Sequence, residues 1–108
     1  MNTNLFDIRD RVVVITGGTG VLGREIGKYL AQQGAKVVLL GRRKDVGDAL
    51  ITDILALGGE AVFYYCDVMD VASVEAVCKK VMQRYGRVDA LLNAAGGNMP
   101  GATITPTG

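Results

Sequence analysis

Apolar residues fall along this chain in two alternating patterns. Short unbroken apolar runs are separated by longer stretches in which apolar residues recur at helical spacing. The runs read as strands at Arg11–Thr16, Ala35–Leu40, Ala61–Cys66 and Val88–Asn93. Strands that lack the usual in–out alternation are covered on both faces, as in a parallel sheet. The first intervening stretch, Val21 to Gln33, carries Leu22, Ile26, Tyr29, Leu30 and Gln33 at helical spacing, with Gly34 as its stop. The second carries Val46, Leu50, Ile54 and Leu57 on one face and ends at Gly58-Gly59. The third starts at the N-cap Asp70, presents Val74, Val77, Val81 and Tyr85, and stops at Gly86. The order is β-α-β-α-β-α-β. Right-handed crossovers then predict a parallel sheet with strand order 3-2-1-4 between two helical layers.

Glycines stand where the first strand turns into the first helix, in Thr16-Gly17-Gly18-Thr19-Gly20-Val21-Leu22-Gly23. Glycine tolerates positive φ and lets a backbone approach a ligand closely. The following helix offers unpaired N–H groups and the positive end of its dipole. Such a junction suits a phosphate or pyrophosphate. Gly17 is read as the tight turn, Gly20 as the point of ligand approach, and Gly23 as the point of close helix–strand packing. Together with the strand order, this predicts an α/β, doubly wound, Rossmann-type three-layer fold over residues 1–108.

Composition narrows the chemistry. The 108 residues are 49% hydrophobic and 21% charged, which is globular. A net charge of +1 gives no electrostatic case for nucleic acid or an anionic membrane surface. No apolar run approaches the roughly 18 residues of a membrane span. The N-terminus lacks a signal-peptide pattern, so the cytoplasm is the expected location. The chain has no histidine, which removes histidine-based nucleophile systems and the usual zinc sites. Cys66 and Cys78 are not spaced as a metal clip and are expected to be buried small hydrophobes. No metal site is expected.

Several spaced features together resemble the short-chain dehydrogenase/reductase family, in its compact branch. They are the glycine stretch, Gly34-Ala35-Lys36-Val37-Val38, Cys66-Asp67-Val68, Tyr85-Gly86-Arg87-Val88-Asp89 and Asn93-Ala94-Ala95-Gly96. The resemblance implies that Gly17, Thr19, Gly20 and Leu22 line a pyrophosphate, with Val21 among the cofactor-binding residues. It also implies that Asp67 bonds an adenine amino group with Val68 beside the ring, and that Asn93, Ala95 and Gly96 lie beside the adenosine ribose. Asp67 as a turn or cap residue, and Asn93 as a strand-end residue, are the plainer alternatives. Val21 and Ala94 depart from the family's usual glycine and second asparagine. Glycines at 17, 20 and 23 also fit the extended, sugar-nucleotide-modifying branch. The loops Gly18–Gly23 and Gly96–Pro100 look like those of sugar-acid enzymes of the D-mannonate oxidoreductase (fructuronate reductase) type.

For the cofactor, the acidic residue expected roughly 20 positions after the glycines, which would bond a ribose 2′-hydroxyl, falls on Gly41. Arg42 and Arg43 follow it. Guanidinium groups beside an uncharged position suit a 2′-phosphate, so NADP is expected over NAD; a solvated arginine pair is the alternative. The resemblance also implies a catalytic serine and a tyrosine followed four residues later by lysine. None of Tyr29, Tyr64, Tyr65 or Tyr85 has that lysine. No catalytic residue is therefore expected within the chain, which reads as the N-terminal cofactor half of an oxidoreductase acting on an alcohol or ketone. A non-catalytic dinucleotide-binding module is a further alternative. Without a fifth strand, Val88–Asn93 would be a bare edge guarded only by Asp89, so the chain is expected to self-associate as a homo-oligomer, or to persist only in contact with the other half of the parent fold.

Overall fold

A computed structural model describes residues 8–94 and 104–106. Among them, β1 (Val12–Thr16), α1 (Val21–Gln32), β2 (Lys36–Gly41), α2 (Lys44–Ala56), β3 (Glu60–Tyr65), α3 (Val71–Tyr85) and β4 (Ala90–Asn93) alternate, followed by β5 (Ile104–Pro106). The sheet order is β3-β2-β1-β4-β5. The first four strands are parallel and in the expected 3-2-1-4 order, with Val13 beside Val37 and Ala90, and Val38 beside Val62.

Alternate residues of the central strands point into two separate cores. Val13, Ile15, Val37 and Leu39 pack under α1 and α2 with Leu50 and Ile54. Val12, Val14, Val38 and Leu40 pack under α3 with Val77 and Val81. Burial on both faces is why β1 and β2 read as continuous apolar runs.

The helix ends follow the local chemistry. The Asp70 carboxylate accepts the Ala72 N–H at 3.0 Å, capping α3. Gly34 and Gly86 stop their helices at φ +94° and +73°.

Three expectations are corrected. The fully buried face of α1 is Gly23, Gly27 and Ala31, four residues apart, and of its larger apolar stripe only Ile26 and Leu30 pack, half-buried, against the core. Tyr29 is 60% exposed and Leu22 is also exposed. The small stripe lets α1 lie close on the sheet, and the large side chains stand beside that contact. Likewise Leu57 lies outside the core at 63% exposure, at the C-cap of α2, and the fully buried residues of that helix are Gly47, Leu50 and Ile54. Cys66 is buried, but Cys78 is exposed on α3, because helical spacing turns it off the Val77–Val81 stripe.

The fourth correction concerns the sheet edge. β5 pairs antiparallel with β4, with Leu91 opposite Thr105 and Leu92 opposite Ile104, so β4 is an interior strand. The edge expected to be bare is paired along Ala90–Leu92, and the case for a homo-oligomer built on a bare β4 edge falls with it. Pro106, which lacks an N–H, lies in the outer strand, as proline in sheets does.

Gly47 has a measurable consequence. A Cβ there would lie 2.6 Å from Cε1 of Phe63, with other ring atoms nearer still. Alanine is the better helix former by about 1 kcal/mol, but overpacking an aromatic ring costs about 1–3 kcal/mol. Gly47→Ala is therefore expected to be neutral to destabilising by about 2 kcal/mol in urea unfolding. A stabilised variant would mean that the ring does not rest on Gly47.

Candidate functional site

The glycine loop is held rigidly between β1 and β2. Gly17 takes φ +70°. Gly18 N–H donates to the Leu40 carbonyl at 2.9 Å, and Gly20 N–H to the Gly17 carbonyl at 3.1 Å. Three of its glycines are there for different reasons. A Cβ on Gly23 would overlap the Gly17 carbonyl oxygen and lie 2.8 Å from Gly18 Cα, so the first turn of α1 must be glycine to pass under the loop. A Cβ on Gly18 would lie 2.9 Å from the Leu39 side chain. A Cβ on Gly20 would meet only the Gly17 oxygen, at an ordinary 3.5 Å. Among the described residues, no packing contact requires glycine at 20, which is exposed at the α1 N-terminus.

That N-terminus is electrostatically uncompensated. Gly20 makes no side-chain cap, and no acidic residue stands in the first turn of α1. The N–H groups and positive dipole end of a 12-residue helix are thus presented outward.

Beside the loop, at the C-terminal ends of β1, β2 and β3, lies an open cleft of about 310 Å³. It brings together Gly17, Thr19, Arg42, Arg43, Asp67 and Val68 from three separate parts of the sequence. Cys66 and Met69 also line it. Neither was anticipated, although Met69, 89% exposed in the turn after β3, is conspicuous for an apolar residue. Gly20, Val21 and Leu22 stand outside the cleft's walls at the α1 terminus, with both side chains exposed. Ala95 and Gly96 lie outside the described residues.

The charged groups of the cleft differ in how committed they are. Arg43 Nη2 lies 3.6 Å from Asp45 Oδ2. The Asp45 carboxyl is held below its ordinary value by the Val46 backbone N–H, with Arg43 adding to the effect. Arg42 is exposed and makes no ion pair among the described residues. It is the arginine that an incoming anion could take at least cost.

Asp67 is tied into the turn. Its Oδ1 accepts the Met69 N–H and its own N–H donates to Ser73 Oγ, both at 3.0 Å. The turn role foreseen as the plainer reading is therefore present, and its second carboxylate oxygen has no protein donor among the described residues. Asn93 likewise has a strand-end role, since Thr16 Oγ1 donates to Asn93 Oδ1 at 2.9 Å. This joins the ends of β1 and β4, the point at which the strand order reverses and ligands of open α/β sheets bind.

A family model described as short chain dehydrogenase matches residues 11–106. The chain belongs to the short-chain dehydrogenase family. The short-chain dehydrogenase match spans all four parallel strands, the glycine loop and the cleft. The chain is 40% identical over 96 residues to an uncharacterized oxidoreductase, UxuB, of Bacillus subtilis, covering 89% of this chain and 34% of that protein. Among solved structures, a putative D-mannonate oxidoreductase from Haemophilus influenza with bound NAD is 31% identical at a TM-score of 0.80, over 87% of this chain and 34% of that one. A metagenomic short-chain oxidoreductase in complex with NADP is 33% identical at a TM-score of 0.75, over 79% and 38%. The chain spans about a third of the length of the curated relatives it matches. Among the described residues, no helix is long and apolar enough to cross a membrane.

Proposed function

We propose that this chain is the cofactor-holding part of an NAD(P)-dependent oxidoreductase that moves a hydride between a nicotinamide dinucleotide and an alcohol or ketone. The observation that carries the reading is Gly20. Among the described residues its missing side chain answers no packing need, and the space it leaves open lies at a helix N-terminus with no side-chain cap and no acidic residue in its first turn. A phosphate-bearing ligand fits that arrangement. Gly17, Thr19 and Gly20 would line the pyrophosphate, Thr19 by its main chain only, with Val21 and Leu22 supplying the first N–H groups of α1. Asp67 and Val68 would border the adenine, and Asn93, Ala95 and Gly96 the sugar end. When bound, the cofactor supplies or accepts the hydride. The chain's own residues bind and orient it, and we place the proton transfer on residues outside these 108.

NADP is the proposed preference. Arg42 and Arg43 offer guanidinium groups beside Gly41, where an acidic residue would repel a 2′-phosphate. Losing a charge-assisted contact costs about 1.5–3 kcal/mol. Replacing both arginines by alanine should weaken NADP binding about 10- to 150-fold in calorimetric titration and leave NAD nearly unchanged. Arg42→Ala should account for most of it, because Arg43 already has Asp45. Equal weakening of both cofactors would rule the preference out.

A sugar acid is the proposed substrate class. The support is the likeness to the putative D-mannonate oxidoreductase. A panel of sugar acids and simple secondary alcohols, followed by NADPH absorbance with the intact protein, tests it. Turnover confined to the simple alcohols would remove the sugar-acid reading.

A further inference from the structure

Gly41 is uncharged, but it is also sterically closed, and the residue that closes it is Thr19. A Cβ on Gly41 would lie 2.9 Å from Thr19 Oγ1, 3.1 Å from its Cγ2 and 3.5 Å from its Cβ. The last distance is an ordinary contact; the first two are not. Both heavy branches of the threonine face Gly41. Rotation about χ1 moves two heavy substituents among three staggered positions, two of which face Gly41. Every rotamer therefore leaves at least one heavy atom there, and side-chain rotation cannot make room.

Backbone retreat is blocked as well. Gly18 N–H is bonded to the Leu40 carbonyl at 2.9 Å. Gly18 packs on Leu39, and Gly23 packs directly under Gly17 and Gly18, with room for no further atom at either contact. The loop that carries Thr19 is thus clamped from β2 on one side and from α1 on the other.

We propose that Thr19 is a specificity-determining residue, which sterically bars any side chain, and so any carboxylate, from position 41. The ribose end of the cleft is thereby kept free of negative charge beside Arg42 and Arg43. This rests on the reading of the cleft as a dinucleotide site that prefers NADP. It differs from a preference set by the arginines alone, because introducing an acidic residue at 41 is then insufficient to create an NAD site.

The test is a double-mutant cycle in the intact protein, read by melting temperature and by titration with NADP and NAD. With Thr19 present, Gly41→Ala is expected to lower the melting temperature by about 4–8 °C; in the Thr19→Ala background it does not lower it. Gly41→Asp alone is expected to weaken NADP without tightening NAD. Thr19→Ala with Gly41→Asp is expected to tighten NAD at least about tenfold over Gly41→Asp alone. If Gly41→Ala costs the same in both backgrounds, the steric bar is absent and the proposal is overturned. If Gly41→Asp alone tightens NAD as much as the double variant, Thr19 has no part in specificity. Coupled melting temperatures with no change in either affinity also overturn the proposal, through the cofactor reading, and the melting curves distinguish this from a failed steric bar.

Discussion

Gly23→Ala is expected to destabilise the protein by about 3 kcal/mol and to abolish measurable dinucleotide binding. Helix propensity alone predicts the opposite sign, because alanine is favoured over glycine by about 1 kcal/mol inside a helix. Sterics decide the matter. The new Cβ would overlap the Gly17 carbonyl oxygen and press on Gly18 Cα at 2.8 Å and Gly17 C at 3.0 Å. All three are backbone atoms, so no rotamer change relieves the contact. Either α1 or the loop must move, and both carry the proposed phosphate site. Gly27→Ala is the internal control. The three atoms nearest its Cβ across the packing contact would all be side-chain atoms, the nearest Leu39 Cδ2 at 3.1 Å, so a change within about 1 kcal/mol is expected. Urea unfolding midpoints of the two variants, with NADP titration of each, make the comparison. Equal midpoints would show that α1 does not pass so close beneath the loop.

Asp89→Ala is expected to cost about 2–3 kcal/mol, with the cleft intact. The sequence places Asp89 inside the fourth strand as a lone charge on its edge. The structure instead places it just before β4, at the end of the sheet opposite the cleft. There Asp89 Oδ2 accepts the Val12 N–H at 2.7 Å, and Asp89 N–H donates to the Val12 carbonyl at 2.8 Å. Arg87 Nε donates to Oδ1 at 3.1 Å, Arg87 Nη2 also reaches it, and Arg11 Nη1 lies 3.6 Å away. Val12 is 1% exposed, so removing the carboxylate orphans a buried N–H, which is the larger part of the cost.

The same site carries a pH signature. Burial by itself raises the Asp89 carboxyl, but the Arg87 hydrogen bond, the Val12 N–H and the two arginine charges outweigh it, and the net shift is downward. A group whose pKa is lowered on folding stabilises the protein above its unfolded value, about 3.9, and that stability is lost as pH falls through the folded value. Asp89→Asn can keep an acceptor for Val12 but cannot titrate. Its stability should fall less steeply than the wild type's below about pH 4. An unchanged acid limb, measured by urea unfolding from pH 6 downward, would exclude Asp89 as a contributor.

Local physics explains what the sequence made legible by itself. Buried parallel strands have no polar face, so β1 and β2 appear as apolar runs. Asp70, Gly34 and Gly86 end helices through contacts within a few residues, and all three occupy the roles their local sequence predicts. The glycine loop and the order of elements, and with them the 3-2-1-4 arrangement of the parallel strands, follow from the same short-range signals. What lies between distant segments was decided only by the tertiary structure. The fully buried face of α1 is a stripe of glycine and alanine, which hydropathy scores as neutral and which the sheet alone selects. The pairing of β5 with β4 depends on a chain reversal that no periodicity announces. Asn93 has a strand-end partner visible only once Thr16, 77 positions away, is placed beside it, whereas the Asp67 turn to Met69 is local. Thr19 and Gly41 stand 22 positions apart in sequence. They meet because a crossover helix returns β2 to the side of β1 and the loop closes over its end.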